Sequence, residues 1–246
     1  MHIRVVTKYT LCLSIFLNGI PSALHAEDYK VDAPRIGEVG GISPEIDFTY
    51  TADPNKDKNA YFGQVYGINY GVNSFWETSF FAEIEKQPGE TTKFSNVKWE
   101  NTFVPFKPGE YWIDVGFFVG ISKAIDNELT NNLETKLLLE KDVGNFANKA
   151  NIILDRNFGP HSVRGENAGF AWMTTYKIDE HFQPGIEYYT DLSRIDHVPE
   201  FNKQSHVIGP VMQGEFHDLT YDTGVLFGLS DGAPNVIFKL DFGYDF

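Results

Sequence analysis

Thirteen ionisable residues sit in stretches where polar and apolar side chains alternate. They are Glu83, Glu85, Lys98, Glu100, Asp114, Glu134, Lys136, Glu140, Lys149, Asp155, Glu187, Lys239 and Asp241. On an extended chain, residues two apart share a face, so these groups converge on common surfaces. If such a surface is cut off from water, its charges must pair, because a lone buried charge is very costly. If it lines a wet passage, the excess of carboxylate over ammonium favours cations over anions. Paired acids can also cleave glycosides at set separations, but nothing here sets their spacing.

Other constellations are weaker. Ser205 and His206 are adjacent, as are His161 and Ser162. A hydrolase needs its base within reach of its nucleophile, and neighbours on a strand point to opposite faces. His161 and Ser162 fall in an expected loop, where that objection weakens, while His181 and His217 fall at expected tight turns. In DPNKDKN, residues 53–59, Asp53, Asn55, Asp57 and Asn59 resemble the start of a calcium loop. The glycine expected at the sixth place is Lys58, and the twelfth place is Gln64 instead of Glu. An ordinary polar loop is the expectation there. No catalytic residue, metal or cofactor is expected, and the chain is not expected to be an enzyme.

The elements that carry these residues are strands. The final stretch puts Val236, Phe238, Leu240, Phe242, Tyr244 and Phe246 on one face. The other face carries Asn235, Ile237, Lys239, Asp241, Gly243 and Asp245. Similar alternation recurs in about twelve segments, near 45–52, 60–72, 75–86, 93–103, 110–122, 131–141, 146–156, 167–178, 181–192, 205–214, 218–229 and 235–246. LTNNLETKLLLEKDV could also be a helix, but its leucines alternate too and strand is preferred. Pro210 interrupts the tenth segment. GVNS, PFKPGE, KDVGN, DEH and EFHD are short connections, and most of the alternate ones are longer and more polar. Short turns at one end and long loops at the other are the asymmetry of an outer-membrane barrel.

Composition agrees. The chain has 34 acidic and 20 basic residues, a formal charge of −14, and 15% aromatics. That charge argues against nucleic acid as a partner, and the aromatic content argues against disorder. Residues 1–26 have the order of a secretory signal peptide, with cleavage expected after Ala26. Cys12, the single cysteine, lies within them, so the mature chain can form no disulfide. The signal peptide contains Arg4 and Lys8 and no acidic residue, so its removal takes the charge from −14 to −16. Residues 27–44 are expected as a periplasmic lead-in and 45–246 as the barrel. A soluble barrel would exchange the faces, but twelve strands lined inward with Phe, Tyr and Trp would overfill it.

The stretches WENTFVPFKPGEYWIDVGFF, ETKLLLEKDVGNF, QPGIEYY, IGPVMQGEF and VLFGLSDGAPNVIFKLDFGYDF resemble a family of proteobacterial outer-membrane β-barrel proteins of unassigned function, sometimes labelled transporter-like. The resemblance implies a barrel in the outer membrane of a Gram-negative bacterium and no catalytic residues. The closing YDF resembles the signal by which such barrels are recognised for insertion, making the barrel-assembly machinery a partner through Phe246. The expectation is a monomeric, antiparallel, up-and-down transmembrane barrel of about twelve strands. Its expected role is a narrow, porin-like pore for a small polar solute, a cation being one candidate, with membrane lipid as its surroundings. A closed structural or surface-interaction barrel, and less so a rim hydrolase, remain alternatives.

Overall fold

The protein is described by a computed structural model that covers residues 29–126 and 129–246. The expected signal peptide, residues 1–26, lies outside the described residues. Twelve strands follow one another: β1 Ile42–Ala52, β2 Phe62–Asn73, β3 Trp76–Lys86, β4 Lys93–Phe103, β5 Asp114–Ala124 and β6 Asn131–Val143. They continue with β7 Phe146–Phe158, β8 Asn167–Tyr176, β9 Gln183–Arg194, β10 Ser205–Phe216, β11 Leu219–Gly228 and β12 Val236–Tyr244. Each pairs antiparallel with its sequence neighbours. β1 and β12 close the cylinder through eight paired positions, from Glu45↔Gly243 to Ala52↔Val236.

Closure leaves no sheet edge, so every strand can pair its backbone internally, which a bilayer demands. The outward face is apolar. Phe80 is 61% exposed, Ile68 55% and Trp99 46%. Near the short-turn end lie the aromatic pairs Trp76–Phe103, Phe146–Tyr176 and Phe216–Tyr221, with Tyr50–Phe238 near the other end. Aromatic side chains at both rims of an apolar band are the girdles of an outer-membrane barrel. The chain is a transmembrane barrel of the bacterial outer membrane, and most of its ionisable strand residues turn toward the axis, Lys123 and Arg156 near the strand ends being exceptions.

One boundary shifts for a local reason, and the one ambiguous segment resolves. β5 starts at Asp114 because the preceding residues fold as a turn: Gly109 takes φ 77° and its N–H donates to Asp114 Oδ1 at 2.6 Å. β6 is a strand along its whole length, with Leu133 exposed outward and Leu138 fully buried inward.

Pro210 faces outward and does not end β10, because its missing N–H falls at a gap in the ladder. The ladder from β10 to β11 skips Gly209 and Pro210, passing from Ile208↔Phe227 to Val211↔Gly224. At this place the two chains crowd together. A Cβ on Gly209 would stand 2.0 Å from the Val225 carbonyl oxygen. Backbone cannot swing aside as a side chain can, so Gly209→Ala is expected to cost about 1–3 kcal/mol. The urea unfolding midpoint of detergent-folded protein would show it, and an unchanged midpoint would mean the strands separate freely here.

The interior is not uniformly charged. Ala171, Met173, Tyr189, Val207, Val211, Leu226 and Ile237 form a buried apolar cluster on the β8–β12 wall. They stand at the inward places of strands whose other inward places are polar, Ile237 two residues from Lys239.

Candidate functional site

The cluster is completed by Tyr29 and Val31, two residues that precede β1. Residues 27–44, expected as a periplasmic lead-in, divide differently: 29–41 enter the barrel and β1 starts at Ile42. The chain reverses at Glu38–Gly41. Gly41 N–H donates to the Glu38 carbonyl at 2.9 Å, Gly40 N–H to the Gly71 carbonyl at 2.7 Å, and Gly40 takes φ 81°. Residues with side chains rarely accept that φ. Gly71 leaves room for the passing chain, since a Cβ there would lie 2.1 Å from the Glu38 oxygen.

Once inside, the segment alternates like a strand. Tyr29 meets Tyr189 edge to face, with centroids 5.6 Å apart, and Val31 packs beside it. Lys30 pairs with Glu45, whose other oxygen accepts from Asn69 at 3.1 Å. Asp32 pairs with Lys136 at 2.8 Å, and Lys136 also reaches Glu134 at 2.9 Å and lies over the Phe118 ring. Asn151, fully buried on β7, accepts from Asp32 N–H and donates to Asp32 C=O, both at 2.8 Å. Arg35 grips both oxygens of Glu140 at 2.7 and 2.9 Å. Gly37 N–H donates to Glu77 at 2.7 Å. The segment therefore runs from the apolar wall across the lumen to β5–β7 and out past β2 and β3.

A second group lies on β9, β11 and β12. Lys239, 3% exposed, has Nζ 3.0 and 3.2 Å from the two oxygens of Glu187, 3.4 Å from Asp222 and 3.5 Å from Asp241. The Tyr189 hydroxyl donates to Glu187 at 2.8 Å. A third group joins Glu83 to Lys98 at 3.4 Å and Asn96 at 3.0 Å. Next to it Glu85 accepts from Tyr61 at 3.0 Å.

Of the thirteen residues singled out in the sequence, Lys136 and Glu140 meet the inserted segment and Glu134 reaches it only through Lys136, while Glu187 and Asp241 meet at Lys239. Glu83 and Lys98 pair, and Glu85 stands beside them. Glu100 lies inward on β4, opposite Gly120. Lys149 is opposite Glu140 in register but hydrogen-bonds Gln213 at 3.4 Å. Asp155 accepts from Asn132 and Asn167 and stands opposite Glu134 in register. Asp114 lies at the periplasmic mouth, lining a cavity of about 280 Å³ with Arg35, Trp112, Glu140 and Asp142. Tyr29, Lys30, Glu45, Asn151 and Tyr189 are not among the thirteen. For Tyr29 and Lys30 the signal is the period-two pattern of YKVD itself, short and just after the expected cleavage site; Glu45, Asn151 and Tyr189 stand in the alternating runs of β1, β7 and β9.

The remaining constellations are engaged elsewhere. Asp53 and Asn55 accept backbone N–H groups within their own loop, and Asp53 also accepts from Asn235, tying that loop to β12. Lys58 binds the carbonyls of Asp231 and Ala233, so these two loops lean together over the outer mouth. His206 has Nδ1 2.8 Å from the Tyr188 hydroxyl and Nε2 2.9 Å from Gln204 Oε1, with Phe201 stacked on the ring. His181 Nδ1 contacts the Glu215 carbonyl, and the Ser162 hydroxyl donates to Gly159.

Asp32 is the titratable anchor of the inserted segment. Burial would raise its pKa, but the Lys136 and Lys30 ammonium groups outweigh burial and hold it below the usual carboxylate value. A depressed acid stabilises the docked state above its undocked pKa, about 3.9 for aspartate. That contribution is lost as pH falls through the docked value. Docking is therefore expected to persist through mildly acidic pH and to weaken only below about pH 4. Bilayer current recorded against pH tests this: a rise already near pH 6 would assign docking to other groups.

No protein-family profile matches this chain, and no curated protein is significantly similar to it in sequence. Solved structures do share the fold. An outer membrane channel from Pseudomonas putida F1 superposes with a TM-score of 0.63 at 13% identity, covering 88% of this chain and 100% of its own. A protein from a study of the in-meso crystallization of membrane proteins superposes with a TM-score of 0.51 at 12% identity, covering 84% of each chain. At such identities the likeness is one of fold: a closed antiparallel barrel of twelve strands, similar to outer membrane channels.

Proposed function

We propose that this barrel is a narrow outer-membrane channel for small polar solutes, that it prefers cations, and that residues 29–41 close it at rest. The observation that carries the reading is how the inserted segment is held. Most of its grip is ion pairs and hydrogen bonds, which water can replace, and only Tyr29 and Val31 add apolar contact. A wall of Lys98, Glu100, Glu134, Lys136 and Glu140 would line the passage once the segment leaves. Asp114, Glu140 and Asp142 at the periplasmic mouth would favour cation entry. The fold shared with an outer membrane channel supports the same reading.

The barrel is read as a passive conduit and not as an enzyme, with His206 read as a structural side chain held between Tyr188 and Gln204. Phe246, 82% exposed beside Tyr244, is read as the contact for the barrel-assembly machinery. A closed barrel acting through its outer loops is the second reading, favoured by the apolar cluster inside the lumen.

Planar-bilayer recording separates the two. The native protein is expected to open briefly, with reversal potentials that favour potassium over chloride. A variant with both charged anchors reversed, D32K/R35E, is expected to stay open. Absence of current from both proteins would remove the channel reading in favour of the closed barrel.

A further inference from the structure

We propose that the lumen is a receptor groove for an extended peptide, and that residues 29–37 are its intramolecular ligand. The inference rests on the proposed channel function insofar as the segment must be able to leave. Three observations carry it.

First, Asn151 reads main chain. Its amide satisfies both the N–H and the C=O of Asp32 at 2.8 Å, contacts that any residue except proline would offer at that place. Second, side chains on the two faces of the segment enter environments of opposite kind. Tyr29 and Val31 enter the apolar cluster, while Lys30 and Asp32 reach Glu45 and Lys136. Main-chain hydrogen bonds with sorted places for alternate side chains are how proteins bind extended peptides. Third, the groove is also shaped for Pro34 and Arg35. Gly116 lies under Pro34, where a Cβ would come 3.0 Å from the Pro34 Cβ, and Glu140 takes Arg35 with both oxygens. The ligand class is a short extended peptide carrying, in order, an aromatic, a basic, an aliphatic and an acidic residue, with proline and a second basic residue after them.

Cleavage after Ala26, expected from the sequence, leaves the segment tied to the barrel at one end only. A short tether gives a local concentration of about millimolar. A free peptide must exceed that concentration in the native barrel and can act far below it once the tethered copy is weakened.

The probe is a synthetic peptide of residues 27–40 with a fluorophore at its C-terminal end. The receptor is full-length D32K/R35E folded in detergent, with heat-modifiable migration as the check of folding; R35E alone replaces it should the double variant not fold. Anisotropy is expected to show saturable binding below millimolar peptide. Reversing Asp32 and Arg35 in the peptide is expected to weaken it about tenfold or more, and Asn151→Ala in the barrel about tenfold, the loss of one to two hydrogen bonds. In bilayers the same peptide is expected to block the open variant. Binding without any current keeps the groove and removes the channel. Current with neither binding nor block removes the groove and keeps the channel. Equal binding of the original and reversed peptides overturns the proposal as well.

Discussion

Replacing Lys239 with methionine is expected to destabilise the barrel by about 3–5 kcal/mol, the range for removing one partner of a buried ion pair. Lys239 is 3% exposed and Glu187 is fully buried. One ammonium holds three carboxylates, those of Glu187, Asp222 and Asp241, within 3.5 Å. Methionine fills much the same volume, so packing changes little and the effect is electrostatic. Without the ammonium, Glu187 keeps only the Tyr189 hydroxyl at 2.8 Å, while its two acidic neighbours repel it. Adding E187Q to K239M removes the most buried of the three charges and is expected to restore part of the loss. Unfolding in urea, in detergent or in vesicles, reads both variants. A loss below about 1 kcal/mol would place this group with solvated surface pairs, whose contribution is of that size.

The second large effect concerns the inserted segment. In D32K/R35E, each anchor faces a like charge: Lys136 opposes the new cation and Glu140 the new anion. The Asp32–Lys136 pair is mostly enclosed, with side-chain exposures of 20% and 10%. A charge-assisted hydrogen bond there is worth about 1.5–3 kcal/mol. Arg35 is half exposed, so its pair with Glu140 is discounted to about 1 kcal/mol or less. Losing both attractions shifts the docking equilibrium by roughly 2–4 kcal/mol, or about 30- to 1000-fold, before repulsion is added. The fraction of time the barrel spends open is expected to rise by that factor until it saturates. Trypsin gives a second readout, because the segment's Lys30 should become cleavable once it leaves the lumen. If neither current nor cleavage changes, the contacts left untouched, Tyr29 and Val31 in the apolar cluster, Lys30 with Glu45 and Asn151 on the main chain, hold the segment.

Much of this architecture is legible in the sequence. Period-two alternation is a local property: a strand must show opposite faces to lipid and lumen, so each crossing carries its own record. All twelve segments are strands and the first strand meets the last; the longer loops gather at one end except residues 104–113, which join β4 to β5 at the short-turn end and are as long a connection as any of them, where PFKPGE reads as short. Misjudged boundaries trace to local chemistry. The Pro-Gly turn before Asp114 reads as part of an alternating run, and the reversal at Gly40 and Gly41 hides an alternating segment behind a glycine pair.

What crosses the lumen is another matter. That Lys136 holds Asp32, that Arg35 holds Glu140, and that Glu187 of β9 reaches Lys239 of β12 depend on how the whole barrel curves and on what its lumen encloses. That arrangement is set by closure, tilt and stagger, quantities that belong to the whole cylinder and to no segment of it. The alternation assigns Ile237, Leu226 and Val211 to the inside without saying that they need a cover. Pairing of β10, β11 and β12 sets these side chains side by side, and only the closed barrel draws Tyr29 and Val31 inward over them, because apolar surface inside a wet lumen is stabilised by whatever shields it from water.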